Sequence, residues 1–468
     1  MKRQSFFLLL VAAGLAGGAA WAQLHPSTLE YPDEVFEPRK AERASLSNGM
    51  LVFLVENHEI PIVSVQAFVR AGSVYDLPGK EGLAELAAKS MRAGGTKRWK
   101  PEVLDEELEQ RAVKLSVDME EEMLWVGVEA LKKDFEWALS VAADVLRNPA
   151  FRTGPVKVEK GKMLDWVWRR WDYPRVVASH KFGELVYGKQ SPWARYETEE
   201  SLERISQKDL RDFHRRVFVP ENILLGAYGD FKPEAMLQKL EEAFGDWEPR
   251  EAVLPELPKV EDRLARRVYY IPRTNLKQTS IRIGHLGVNR HDPDIRRIEV
   301  MNHIFGTSMS SRLFMKVRSE KGLAYSVGGG VRDGLDRGTF SVGCSTKPET
   351  TVEAIEAILV EIERLRVEPP TEEELLRARR STVNSFVFQF EGASDVLWKS
   401  IENHFFGYPE DYWDTYLEKI RAVTAEQVLD MARRHMNPEK TVILVVGDEA
   451  KFDKPLSTLG EVTTLSLE

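Results

Sequence analysis

The chain has one cysteine, Cys344, in 468 residues. A single thiol makes no internal disulfide and builds no cysteine-based zinc site. Its place in the strand-like run 339–344 reads as that of a small buried hydrophobe. Positive charge is not in excess: 65 Lys and Arg face 74 Asp and Glu, a net charge of −9. That argues against nucleic acid as the main partner, because phosphate neutralisation needs a basic face. Histidine is sparse, and the nine His, at 25, 58, 180, 214, 285, 291, 303, 404 and 435, include no pair at i, i+3 or i+4. A His and a carboxylate do fall a helical step apart, as in His180 with Glu184 and Glu299 with His303. Such a pair supplies two ligands where a catalytic zinc needs three from the protein. What remains is ordinary: 43% apolar and 30% charged residues, enough chain for two or more domains with ample core.

The N-terminus reads as an address. Lys2 and Arg3 precede an apolar run from Phe6 to Ala20, followed by Ala20-Trp21-Ala22 and Gln23. A basic start, a short greasy centre and small residues before the cut describe a secretory signal peptide over residues 1–22. The shortness of the run and its Gly and Ala content favour cleavage, with retention as an uncleaved anchor the alternative. The expectation is a periplasmic or otherwise exported protein with no integral membrane segment after cleavage.

The rest of the chain repeats itself. Ser206-Gln207-Lys208-Asp209-Leu210 leads to Pro220-Glu221-Asn222, an apolar run and Gly229-Asp230; Thr424-Ala425-Glu426-Gln427-Val428 leads to Pro438-Glu439-Lys440, an apolar run and Gly447-Asp448. The offset is 218 at both landmarks, 220 to 438 and 229 to 447. Near the start of each half, Val52-Phe53-Leu54-Val55 has its counterpart in Val268-Tyr269-Tyr270-Ile271. A duplicated domain of about 200 residues follows. Each half runs strands, then helices, then a strand, so the fold class is α+β: two homologous domains, each a mostly antiparallel mixed sheet backed by helices. The domains span residues 40–248 and 263–455. The linker 249–262 is stiffened by Pro249, Pro255 and Pro258. In the second half, Val352, Ile355, Ile358, Leu359 and Ile362 fall at helical spacing, and Thr371-Glu372-Glu373-Glu374 forms a capping box for the next helix.

Three passages, set on this duplication, carry a resemblance: residues 46–55 with 63–72; Gly82-Leu83-Ala84 through Gly94-Gly95-Thr96; and Ser311-Arg312-Leu313-Phe314 followed by Arg318 and Gly322-Leu323-Ala324-Tyr325-Ser326. Over nearly the whole chain the sequence resembles the inverzincin peptidases, relatives of pitrilysin, insulinase and the mitochondrial processing peptidase. Their chemistry rests on H-x-x-E-H, two His on one helix face binding zinc with a Glu as general base. Here the motif's place holds Glu85-Leu86-Ala87-Ala88-Lys89. Glu85 stands at the first His position, Ala88 at the base and Lys89 at the second His, and the third ligand's place falls near Asp165 or Trp166. A protonated ammonium has no lone pair and a methyl group moves no proton. Glu85 and Lys89 instead form an i,i+4 acid–base pair, and this chain is expected to hold no metal.

The resemblance also implies an Arg and a Tyr, seven residues apart in the second half, that reach substrate near the zinc. Arg318 and Tyr325 match both positions. The helix ending near Arg318, the left-handed stop at Gly322 and the strand from Leu323 let the two converge across a turn. A guanidinium fork holds a peptide carbonyl and a phenol donates to a developing oxyanion. The structural alternative is that Arg318 complements a helix C-terminus and Tyr325 is core. Some family members are heterodimers in which one subunit holds zinc and the other keeps the Arg–Tyr pair. The resemblance therefore implies a zinc-free subunit working with a homologous H-x-x-E-H partner, which carries the zinc, on an unfolded peptide. Two other readings stay open: a non-enzymatic scaffold or peptide-binding protein, and a self-sufficient peptidase with an unorthodox metal site.

The remaining features read structurally. Leu164, Val167, Trp168 and Trp171 form a core-facing stripe, with Trp166, Arg169 and Arg170 off it and available to a partner. Glu120-Glu121-Glu122 reads as a solvated turn. Asp292-Pro293-Asp294 reads as a turn or helix start. Gly328-Gly329-Gly330 admits either a close backbone approach or a strand-end bulge.

Overall fold

The computed structural model describes residues 36–262 and 264–466; the signal peptide expected over residues 1–22 lies outside the described residues. Two six-stranded sheets form the frame. The first contains β1 (Glu42–Ser45), β2 (Leu51–Glu56), β3 (Ile62–Val69), β4 (Lys114–Met119), β5 (Leu124–Leu131) and β6 (Ile223–Gly229) in the order β1-β2-β6-β3-β5-β4. The second half supplies β7 (Arg267–Pro272), β8 (Thr279–Leu286), the short β9 (Val288–Asn289), β10 (Ala324–Val331), the short β11 (Asp333–Gly334), β12 (Thr339–Thr346), β13 (Val442–Gly447) and β14 (Val462–Thr464). Its large sheet runs β14-β7-β13-β8-β12-β10, and β9 pairs with β11 separately.

The duplication is written into this topology. In each sheet the first long strand pairs in parallel with the last, β2 with β6 and β7 with β13. The next three strands follow antiparallel in the same order. Only the outer strand beside β2 or β7 differs, antiparallel β1 in one half and parallel β14 in the other. The helices before β6 and β13 open on matching capping boxes, Ser206 with Asp209 and Thr424 with Gln427. The expected box at Thr371 and Glu374 is also made.

The halves exchange helices. Pro174–Tyr187, from the first half, buries Val177, Ala178, Phe182 and Val186 against Ile271, Leu286, Val442, Leu444 and Val446 of the second sheet. Ala393–Phe405, its counterpart about one repeat later, returns the arrangement on the first sheet. There Leu397 packs on Gly226, and Trp398 meets Phe68 and Trp125 at ring separations of 5.6 and 6.4 Å. Each fully buried aliphatic side chain contributes about 1.5–3 kcal/mol, so each sheet depends on the other half for part of its stability. Residues 248–262 connect the halves without helix or strand.

Several local expectations change. Val167 is buried, but Trp168, on the expected core stripe, is 54% exposed and its Nε1 donates to Glu199 at 3.1 Å. Arg170, expected outside, is 1% exposed. Its Nη1 bonds Glu197 at 2.8 Å, and its guanidinium lies over the Tyr196 ring. The buried face instead runs through Val156, Met163, Val167 and Arg170 at helical spacing, which leaves Trp168 one step off it. The Glu120–Glu122 turn is not fully solvated, since Glu122 pairs with the buried Arg290.

Candidate functional site

The degenerate motif lies on the helix Leu83–Ala93, whose N-cap, Gly82, has φ +93°. A Cβ there would meet Leu202 at 2.8 Å and Glu197 at 2.9 Å, so backbone angle and space both call for glycine. The Asp76 carboxylate accepts from the Gly82 and Ala84 amides at 2.8 and 2.9 Å, satisfying donors the helix leaves open. Burial pushes the Asp76 pKa up to about 7, against the pull of those two N–H groups.

Leu83, Leu86, Ala87 and Met91 point into the core. One face outward, Lys89 Nζ lies 2.9 Å from the Glu85 carboxylate. Ala88, at the general-base position, is 1% exposed. Glu85 borders a cavity of about 370 Å³ whose wall also includes Trp166, His180, Tyr196 and Glu197. The fold thus brings the first ligand position and Trp166, one of the two candidates for the third, to one cavity. At those two positions stand a carboxylate already paired with an ammonium and an indole whose nitrogen only donates, which is not a zinc donor set. Among the described residues, no group of three or more His, Cys, Asp or Glu is placed to hold a metal ion.

The cavity's other polar groups are mostly committed to one another. Arg170 holds Glu197 through its carboxylate and its carbonyl, and the Tyr196 hydroxyl donates to Glu184. His180 packs 4.5 Å from the Tyr196 ring, with its Nδ1 buried and unbonded. Burial, with the Arg170 charge beside it, lowers the His180 pKa to about 4, so the ring is neutral at neutral pH.

In the second half, the sequence Ser311–Phe314 is an anchor. Arg312 is buried and makes two 2.8 Å bonds to Glu374, the capping-box carboxylate of the helix Glu372–Phe386. Burial works to raise the Glu374 pKa, but Arg312 and the Thr371 amide hold it down at about 2. Composition gave no sign of this role, since the partners stand 62 residues apart. A π-helical segment, Phe314–Glu320, carries Arg318, whose guanidinium sits 4.7 Å over the Phe314 ring. Gly322 (φ +65°) ends it, and the Leu323 amide donates to the Val317 carbonyl at 3.0 Å.

Tyr325 then falls at a bulge. Ala324 pairs with Thr346 and Ser326 with Ser345, leaving Tyr325 the extra residue on β10. A bulge re-aims its side chain, and Tyr325 is 50% exposed, not core. It lines a cavity of about 1070 Å³ over β8, β12 and β10. Arg318 is exposed on the preceding segment and does not line that cavity. The glycine run 328–330 holds regular register with β12 and contains no bulge. Its close neighbour is the chain's own π-helical segment His303–Thr307: a Cβ at Gly328 would lie 2.8 Å from the Gly306 carbonyl.

Duplicated mixed sheets and exchanged helices define an α+β framework built twice over. Residues 51–190 match the family described as "Insulinase (Peptidase family M16)", and residues 204–382 match "Peptidase M16 inactive domain". The chain belongs to peptidase family M16. It is 22% identical over 407 residues to a Bacillus subtilis protein named "Uncharacterized zinc protease YmxG", covering 86% of this chain and 98% of that one. To the Helicobacter pylori "Non-peptidase homolog YmxG" it is 24% identical over 406 residues, covering 86% and 92%. The crystal structure of a peptidase M16 inactive domain from Pseudomonas fluorescens superposes with a TM-score of 0.81 at 22% identity, over 89% of this chain and all of that one.

Proposed function

We propose that this chain is the zinc-free subunit of an exported heterodimeric metallopeptidase, supplying Arg318 and Tyr325 to a site whose metal belongs to an H-x-x-E-H partner. The observation that carries this reading is a contrast between the two halves. At the motif, the ligand and base positions hold an ion pair and a buried methyl group. In the other half Arg318 and Tyr325 keep their spacing across a glycine-stopped turn. Arg318 is exposed without a carboxylate partner among the described residues, and Tyr325 is turned outward at a bulge.

The chemistry available to this chain is binding and charge stabilisation. The Arg318 fork donates to a carbonyl of an unfolded peptide and fixes its register. The Tyr325 hydroxyl donates to the oxygen that gains negative charge as the amide is attacked. Among the described residues β10 pairs with β12 alone, so an extended peptide can add along its other edge through main-chain bonds.

Co-expression with a candidate H-x-x-E-H chain tests this. Neither chain alone should cleave unstructured peptides, and the pair should cleave them in a chelator-sensitive way. A second reading, a non-enzymatic binding or assembly protein, draws on the relative named a non-peptidase homolog. It is favoured if no partner confers cleavage while Arg318→Ala leaves the biological role intact.

A further inference from the structure

We propose that the cavity over β8, β12 and β10 binds an acidic extended peptide, its carboxylates held by a cluster of cations centred on Arg282. Arg175, Lys277, Arg282 and Arg332 line the cavity, and no carboxylate does. Among the described residues none of the four makes an ion pair, in a chain whose net charge is −9. The cavity in the other half is mostly acidic, walled by Asp76, Glu81, Glu85, Glu120, Glu121 and Glu197 with Arg195 as its one guanidinium. Charge is sorted between the two.

Arg282 has the geometry of a receptor. It projects from β8 across Gly343, its Nη1 3.0 Å from where a Cβ of that residue would stand. Nη2 donates to Ser179 Oγ at 2.7 Å, tying the fork to the exchanged helix Pro174–Tyr187. The fork's other N–H groups are left to the cavity. Burial lowers the Arg282 pKa, and Arg175 and Arg332 push it the same way. Like charges held together in a half-buried cavity are relieved by an anion, and guanidinium forks match carboxylates in shape.

Size and surroundings favour a peptide. The cavity is about 1070 Å³, at the upper end of the range that encloses a drug-sized ligand. It spans three strands and ends at Tyr325. Among the described residues the outer edge of β10 has no strand partner; Asn302 bonds Val331, and Gly306 packs against Gly328 and Gly329. This inference rests on reading Tyr325 as a peptide-binding residue, and it names the substrate class for that site.

The test is binding to the purified chain without any partner. Fluorescent, unstructured Gly-Ser-Glu repeat peptides are compared with Gly-Ser-Gln and Gly-Ser-Lys repeats, with inorganic phosphate as competitor. The Glu peptide is expected to bind about tenfold more tightly than the Gln peptide at low salt, with the advantage shrinking as salt rises. Arg282→Gln, and separately the exposed Arg175→Gln, should remove most of that advantage. Equal affinity for the Glu and Gln peptides overturns the proposal. So does phosphate binding with no preference for the Glu peptide, which defines a small-anion site. A retained Glu preference beside a failure of every partner to confer cleavage counts against the subunit reading alone.

Discussion

Lys89 Nζ lies 2.9 Å from the Glu85 carboxylate, one helical turn away on the segment we propose stands in place of two zinc-binding imidazoles. Both groups are partly exposed, so the pair contributes only about 0.3–0.5 kcal/mol. Its consequence is chemical: the carboxylate that stands at a ligand position already has a cation.

Reversing the loss one residue at a time should fail at Ala88. That methyl group is buried, and a glutamate there brings extra volume and an unpaired charge into the core. Ala88→Glu is expected to lower stability by about 3 kcal/mol or more at neutral pH, and by less at pH 4. Lys89→Ala should change it by under about 0.5 kcal/mol. Urea unfolding of the two variants checks both values.

The Arg–Tyr assignment predicts a split between assembly and catalysis. In the assembled pair, Arg318→Ala and Tyr325→Phe should each lower turnover about 100-fold or more. Heterodimer formation should be unchanged by size-exclusion chromatography. Unchanged turnover in Arg318→Ala would remove that residue from the site.

Exchange of helices predicts energetic coupling between the halves. A Cβ added at Gly226 would stand 2.9 Å from a Leu397 methyl, so Gly226→Ala should cost about 1–3 kcal/mol. Leu397→Ala, by opening a cavity, should cost about 2–5 kcal/mol. The double variant should lose less than the two single losses combined, because the new methyl fills part of the new space. Strict additivity would contradict the packing.

Acid sensitivity has a source at the degenerate site. The folded chain holds His180 at about 4, chiefly by burial, against about 6.5 when unfolded. Between those values the unfolded chain binds more protons, so this contribution is present above pH 6.5 and lost as pH falls towards 4. His214, lowered by burial to about 4, acts in the same direction. Asp76, raised to about 7, opposes them, its contribution falling as pH rises from about 4 to 7. His180→Phe should therefore gain on the natural chain as pH is lowered from 7 to 5, by at most about 1.4 kcal/mol per pH unit. An equal stability difference at both pH values would contradict this.

Much of this was legible in the sequence because it is local or periodic. The 218-residue offset is a repeat, and the capping box at Thr371 and the stop at Gly322 are written within a few residues of where they act. The exchanged helices were not legible: an amphipathic face says that a partner exists, not which sheet provides it. Trp168 and Arg170 were misplaced because the indole looked like core and the guanidinium like surface, whereas the buried face runs through Met163, Val167 and Arg170, with Glu197 as the buried cation's partner. The basic cavity was hidden for a different reason. Arg175, Lys277, Arg282 and Arg332 lie on separate elements spread over more than a third of the chain, and only the fold gathers them.

The most direct test of the account is the zinc content of the solitary, purified chain, measured by mass spectrometry alongside its peptidase activity and repeated after assembly with an H-x-x-E-H partner. The account predicts trace metal and no cleavage alone, then one equivalent of zinc and cleavage in the pair. One equivalent of zinc retained by the solitary chain, together with turnover, would contradict it.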